Sequence, residues 1–138
     1  MKPIPLLPGY LEVPFVDGNL AAGFPSSADD FAQHPLDLHE LLVDHPAATF
    51  FVRVEGDSMV EAKIESGDIL IVDRALTPAH GKVVVALVGG EFTVKRLEQR
   101  GGRTHLVAAN RRYSPIDVTD DEEFQVWGVV TYVIHRAR

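Results

Sequence analysis

From residue 49 to the C-terminus the sequence alternates short apolar runs with glycine and proline turns, a pattern typical of antiparallel β-sheets. The strand-like runs are residues 49–55, 68–73, 82–88, 91–97, 104–109 and 124–135. Gly89 and Gly90 separate two of these runs by two residues, and both can adopt the positive φ that a tight hairpin turn requires. We therefore predict a mainly β fold, with one compact antiparallel β domain over residues 49–138.

The first 48 residues differ in character from the rest of the chain. Prolines at positions 3, 5, 8 and 14 interrupt any regular helix, so residues 1–22 are predicted to form an extended arm. Residues 23–48 are predicted to form a connector that contains one short helix. Asp37 and Glu40 have the spacing of a capping box at the start of that helix, and Pro46 is expected to end it.

Size and residue types limit the chemistry that this chain can carry. With 138 residues it can build one domain with a core, but not two. The absence of cysteine excludes disulfides and zinc–cysteine sites. The six histidines include no closely spaced pair of the kind that binds metals, so no metal and no cofactor are expected.

The net charge of −7 argues against direct binding to nucleic acid, which relies on lysines and arginines that face phosphates. The longest aliphatic run, residues 83–88, is far too short to cross a bilayer. Prolines also interrupt the N-terminus too often for a secretory signal. We expect a cytoplasmic protein that neither enters a membrane nor contacts nucleic acid directly.

Ser58 is the first candidate for a catalytic residue. It lies in the segment Gly56-Asp57-Ser58-Met59, where the strand-like run 49–55 should break into a turn. A turn exposes the hydroxyl and leaves nearby backbone N–H groups free to stabilise an oxyanion. Gly-Asp-Ser is also common in ordinary polar turns, so this segment alone leaves both interpretations open.

Lys95 is the candidate base for this serine. A neutral lysine amine can remove the proton of a serine hydroxyl, provided that burial lowers its pKa. By the two-residue period of a strand, Lys95 shares a face with Thr93 and Leu97. If that face points inward, Lys95 meets the condition, and if it points to solvent, it does not.

Histidine provides the rival catalytic interpretation. His80 is the candidate to pair with Ser58, with Asp73 or Asp57 to orient its ring, in the manner of a catalytic triad. The alternative for His80 is an ordinary turn residue.

Several segments together resemble the UmuD/LexA-type family of self-cleaving serine peptidases. They occur in the family's order, from about residue 20 to the C-terminus. The segments are Ala21-Ala22-Gly23-Phe24-Pro25-Ser26, Gly56-Asp57-Ser58-Met59, Gly67 to Asp73, Gly90 to Leu97, Asn110, Tyr113-Ser114-Pro115-Ile116 and Gly128-Val129-Val130.

The resemblance implies a fold of the LexA C-terminal type and roles for four residues. Ser58 would be the nucleophile, Lys95 the general base, and Ala22-Gly23 the bond that is cleaved. The residues between this bond and Ser58 would bring the bond either to the active site of the same chain or to that of a dimer partner. The sequence leaves both possibilities open. A repressor of the family carries three further helices before the cleavage site, which residues 1–22 cannot form, so we do not expect a repressor.

The resemblance also implies partners. It implies a homodimer, stimulation of cleavage by the RecA–single-stranded DNA filament, and association with a Y-family polymerase subunit of the UmuC type in translesion synthesis. The apolar residues of the run 124–135 indicate either a dimer surface or a central core strand. Two other functions stay open: a non-enzymatic interaction module of the same fold, and a protease similar to signal peptidase.

Overall fold

The computed structural model describes residues 3–5, 12–17 and 32–137. The chain divides into two compact units, one formed by residues 8–44 and the other by residues 1–7 together with 45–138. The strands are β1 (Pro3–Pro5), β2 (Glu12–Asp17), β3 (Ala32–Asp37), β4 (Thr49–Arg53), β5 (Ile69–Asp73), β6 (Val83–Val88), β7 (Glu91–Arg100), β8 (Arg103–Val107), β9 (Ile116–Asp117) and β10 (Gln125–Ile134). One α-helix, α1, spans Leu38–Leu42, and two 3-10 turns span Pro46–Ala48 and Val60–Ala62.

The larger unit is built on an eight-stranded sheet with the order β1-β4-β5-β10-β6-β7-β8-β9. Every neighbouring pair is antiparallel. Each of the strand-like runs predicted from the sequence contains a strand, so the mainly antiparallel β prediction is confirmed. The two-residue strand β9, which the apolar pattern did not indicate, extends one edge of the sheet.

Two hydrophobic clusters form the core, and strand β6 contributes to both. Val85 packs in the first cluster, whereas Val84 and Ala86 pack in the second, as the two-residue period of a strand requires. The first cluster also contains Met59, which directly follows Ser58 in the chain. Both faces of this part of the sheet are therefore covered, and the segment around Ser58 is anchored in the core.

Two tight hairpins shape the part of the sheet that carries Lys95. Gly89 and Gly90 join β6 to β7 and have φ values of 57° and 80°, as predicted for this turn. Gly101 and Gly102 join β7 to β8 in the same way, with φ values of 56° and 75°. The first of these turns fixes the register that pairs Lys95 with Val84.

The smaller unit contains a hairpin that the sequence pattern did not indicate. Strand β2 pairs with β3 in antiparallel fashion, with Pro14 opposite Pro35. Proline lacks a backbone donor and argues against a strand in sequence-based interpretation, which is why both strands escaped prediction. The candidate cleavage site, Ala22-Gly23, lies outside the described residues.

Helix α1 begins where the sequence predicts but is shorter than expected. The Asp37 side chain accepts a hydrogen bond of 3.0 Å from the backbone N–H of His39, which caps the helix. The helix ends at Leu42, because the backbone of Val43 is already extended. Pro46 starts a 3-10 turn instead of ending the helix directly.

Strand β10 is a central strand, paired with β5 on one side and β6 on the other. Val129 is buried, whereas Tyr132, Val133 and Ile134 at the end of the strand are exposed. The first half of this apolar run therefore belongs to the core. Within this run, the exposed apolar surface lies in the second half.

Gly128 supports a test of this packing. A Cβ atom at this position would lie 2.5 Å from Cγ1 of Val72, which is completely buried. We expect Gly128→Ala to lower the free energy of unfolding by about 1–3 kcal/mol, because the Val72 side chain or the strand must shift. Chemical denaturation measures this change.

The control is Gln125→Ala, an exposed position on the same strand. It should change the free energy of unfolding by no more than about 0.5 kcal/mol. Equal stability of Gly128→Ala and the wild-type protein would contradict the close packing of β10 against β5.

Candidate active site

Ser58 lies in the turn that follows strand β4, as predicted. Gly56, with a φ of 91°, allows the chain to bend there, and the 3-10 turn Val60–Ala62 follows. Met59 is 2% exposed and holds the turn against the first core cluster. We call residues 56–61 the serine turn.

Lys95 points inward from strand β7 toward the serine turn. Its side chain is almost completely buried, with 9% of the residue exposed, and its Nζ lies 3.0 Å from Oγ of Ser58. Leu97, two residues further along the strand, is 1% exposed. The face that Lys95 shares with Leu97 is thus buried, which resolves the alternative that the sequence left open.

Two further oxygens contact the Lys95 amine. Oγ1 of Thr93 lies 2.8 Å and the backbone oxygen of Val94 lies 3.2 Å from Nζ. A neutral amine has two N–H groups and one lone pair. If the N–H groups donate to Thr93 and Val94, the lone pair is left to accept the proton of the Ser58 hydroxyl.

Burial lowers the pKa of Lys95 below its ordinary value of 10.5. The oxygens that Ser58, Thr93 and Val94 supply to Nζ are neutral, so none of them stabilises the ammonium form as a carboxylate would. Burial therefore shifts the protonation equilibrium of Lys95 toward the neutral amine, which is the form that accepts a proton.

A cleft of about 220 Å³ opens beside Ser58. Its lining residues are Val54, Glu55, Ser58, Met59, Glu91, Phe92, Thr93 and Val94. Strand β7 pairs with β6 along residues 91–96, but its pairing with β8 starts only at Arg96. Within the described part of the chain, no strand pairs with the second edge of residues 91–95, which suits the binding of an extended peptide.

The loop of residues 109–113, which we call the asparagine loop, is bonded to the serine turn. Nδ2 of Asn110 donates a hydrogen bond of 2.8 Å to the backbone oxygen of Asp57. The backbone N–H of Glu61 donates to the oxygen of Ala109, also at 2.8 Å. Asn110 belongs to the family pattern in the sequence, but its role could not be predicted, since no local pattern connects it with a turn 53 positions away.

His80 has other contacts than those that a catalytic triad requires. Its Nδ1 accepts a hydrogen bond from the backbone N–H of Gln99. Asp73, one of its candidate partners, contacts His45 at 2.6 Å, and the other, Asp57, accepts a bond from the hydroxyl of Tyr113. These contacts favour the interpretation of His80 as a turn residue.

Among residues 3–5, 12–17 and 32–137, no cluster of three or more histidine and acidic side chains has the arrangement of a metal site. A search of the same residues found no helix with the length and apolar character needed to cross a membrane.

Comparison with known proteins places the chain in a family. Residues 14–131 match the family model described as peptidase S24-like. Protein MucA of Salmonella typhimurium is 46% identical over 121 residues, which cover 87% of this chain and 82% of MucA. Protein ImpA of Salmonella typhimurium is 44% identical over 137 residues, which cover 94% of this chain and 87% of ImpA.

A repressor is also among the similar proteins. LexA repressor 2 of Pseudomonas syringae pv. tomato is 40% identical over 134 residues, which cover 94% of this chain but 63% of the repressor. The extent of the family match and the identity to MucA and ImpA agree with the resemblance drawn from the sequence motifs. The chain belongs to the peptidase S24-like family and is a protein of the UmuD type.

Proposed function

We propose that this chain is a self-cleaving serine endopeptidase, with Ser58 as the nucleophile and Lys95 as the general base. One observation carries the proposal: a buried lysine amine lies 3.0 Å from the hydroxyl of a serine at the edge of a cleft. Membership of the peptidase S24-like family supports it.

The chemistry follows from the contacts of the two side chains. Neutral Lys95 takes the proton of the Ser58 hydroxyl, and Oγ attacks the carbonyl carbon of the scissile peptide bond. The carbonyl oxygen becomes an oxyanion, which backbone N–H groups of the serine turn stabilise. Lys95 then passes the proton to the leaving amine. Water, deprotonated by Lys95 in the same way, hydrolyses the ester and restores Ser58.

The proposed substrate is the chain's own bond between Ala22 and Gly23, so that cleavage removes residues 1–22. Small side chains on both sides of this bond suit a narrow cleft, and glycine bends more easily than other residues. The unpaired edge of residues 91–95 offers backbone groups to an extended segment. Tethering raises the local concentration of the bond, within one chain or between the subunits of a dimer.

The wider role that we propose is that of the UmuD type in SOS mutagenesis. The RecA–single-stranded DNA filament would stimulate cleavage in the cytoplasm, and the product would form a homodimer that joins a Y-family polymerase subunit similar to UmuC. The similarity to MucA and ImpA supports this role. Tyr132, Val133 and Ile134, which expose apolar surface at the end of β10, support dimer formation.

The first test is the pH dependence of spontaneous self-cleavage, followed on gels. The proton-accepting form of Lys95 increases with pH, so the rate should rise about tenfold per pH unit and level off near the lowered pKa of Lys95, below 10.5. Ser58→Ala and Lys95→Ala should each nearly abolish cleavage at every pH.

The control for this series is His80→Ala, which should leave the pH profile unchanged, because His80 contacts Gln99 and not Ser58. A Lys95→Ala protein that cleaves itself at the wild-type rate would refute the serine–lysine mechanism. A plateau that is lost in His80→Ala would instead favour a histidine base.

The second test is the position of the cut. Mass spectrometry of the incubated protein should find one fragment that ends at Ala22 and another that begins at Gly23. Ser58→Ala, incubated in parallel, should keep its intact mass. Cleavage of another bond in a Ser58-dependent manner would contradict the assignment of this substrate while leaving the peptidase in place.

A further inference from the structure

We propose that Asn110 is a positioning residue for catalysis: its side-chain amide holds and polarises the peptide group between Asp57 and Ser58, so that the N–H of Ser58 is directed at the oxyanion. This inference rests on the proposed function and adds a residue outside the serine–lysine pair. Asn110 is the one residue of the asparagine loop to which it gives a role in the reaction.

The Asn110 side chain is fixed at both of its polar atoms. Nδ2 donates to the backbone oxygen of Asp57 at 2.8 Å, and Oδ1 accepts from the backbone N–H of Arg112 at 3.0 Å. The residue is 8% exposed, so water competes little for these bonds. Since Oδ1 is already used within the loop, the amide NH₂ is the group that faces Asp57.

The bond to Asp57 determines where the N–H of Ser58 points. The peptide group between the two residues is planar, and none of the described peptide bonds is cis. In a trans peptide the N–H points opposite to the C=O. By holding the Asp57 oxygen on the side of the asparagine loop, Asn110 directs the Ser58 N–H away from that loop.

The same bond makes the Ser58 N–H a better donor. A hydrogen bond to the carbonyl oxygen polarises the peptide group and strengthens the bond that its N–H donates. Within the serine turn, the Val60 N–H lies 3.4 Å from the same oxygen, which is a long and weak contact. The shorter bond from Asn110 is therefore the main restraint on this peptide group.

Two hydrogen bonds to Glu61 hold the asparagine loop beside the serine turn. The carbonyl of Ala109 accepts a bond from the N–H of Glu61, and the carboxylate of Glu61 accepts one from the N–H of Arg111, both at 2.8 Å. These bonds flank Asn110 on both sides along the chain. The serine turn and the asparagine loop thus form one bonded unit around the Asp57–Ser58 peptide.

Two substitutions test the proposal in the full-length chain. Asn110→Ala removes both side-chain bonds, whereas Asn110→Asp keeps an acceptor for the Arg112 N–H and removes the donor to Asp57. Loss of one oxyanion donor lowers the catalytic rate on the order of 10²–10³-fold. A donor that is still present but points in the wrong direction should lower the rate less, by about 10- to 100-fold. We expect both variants to lower the plateau rate of self-cleavage at alkaline pH by this factor.

A second measurement distinguishes an effect of Asn110 on the oxyanion from an effect on the nucleophile. The chain contains no cysteine, so Ser58→Cys introduces a single thiol that iodoacetamide can label. Alkylation of this thiol forms no oxyanion, and its rate reports access to the side chain and its ionisation. At the plateau pH, adding Asn110→Ala or Asn110→Asp to Ser58→Cys should change the alkylation rate by no more than about twofold.

Tyr113→Phe is the matched control. It removes a bond from the same loop to the same residue, but to the carboxylate of Asp57 instead of its backbone oxygen. It should keep self-cleavage within about threefold of the wild-type rate.

Three results would overturn the role of Asn110 while the wild-type protein still cleaves itself. These are wild-type cleavage by both Asn110 variants, a loss of alkylation that parallels the loss of cleavage, and unfolding of both variants in thermal denaturation. The last two would show that Asn110 maintains the turn or the fold, not the transition state. A wild-type protein that does not cleave itself would overturn the proposed function, and this inference with it.

Discussion

The burial of the Lys95 amine beside Ser58 is the interaction on which the proposed chemistry depends. An exposed lysine carries a proton at neutral pH and cannot accept one from serine. The sheet removes water from Lys95 and surrounds its amine with neutral oxygens from Ser58, Thr93 and Val94. Burial penalises the charged form of Lys95 and so lowers its pKa, as its proposed role as a general base requires.

The sheet provides this environment because both of its faces are covered near the site. Val94 packs in the first core cluster, while Leu97 packs in the second, on the side that Lys95 shares. The register that the Gly89–Gly90 hairpin fixes pairs Lys95 with the buried Val84. On the other side of the cleft, Met59 anchors the serine turn in the first cluster. Core packing therefore fixes the positions of both Lys95 and Ser58.

Local patterns in the sequence were sufficient to predict strands β4 to β8 and β10, the hairpin at Gly89–Gly90 and the turn at Ser58, because each depends on residues that are close in the chain. The orientation of Lys95 could not be predicted, since alternation along β7 defines two faces but does not say that both are buried. The contact of Asn110 with Asp57 could not be predicted either, because the fold brings these residues together across 53 positions. The hairpin of β2 and β3 was not predicted, because both strands contain proline, yet the two backbones pair.

The most direct test of the account is the pKa of Lys95 itself, measured by NMR titration of the lysine side chains in the Ser58→Ala protein, which the proposed mechanism predicts to stay intact. The chain has three other lysines, Lys2, Lys63 and Lys82, and the signal of Lys95 is assigned by its loss in Lys95→Met. We expect Lys95 to titrate below its ordinary pKa of 10.5, because burial penalises its charged form. A Lys95 signal that titrates at 10.5 or above would contradict the account, since the amine would then be protonated when it should accept the proton of Ser58.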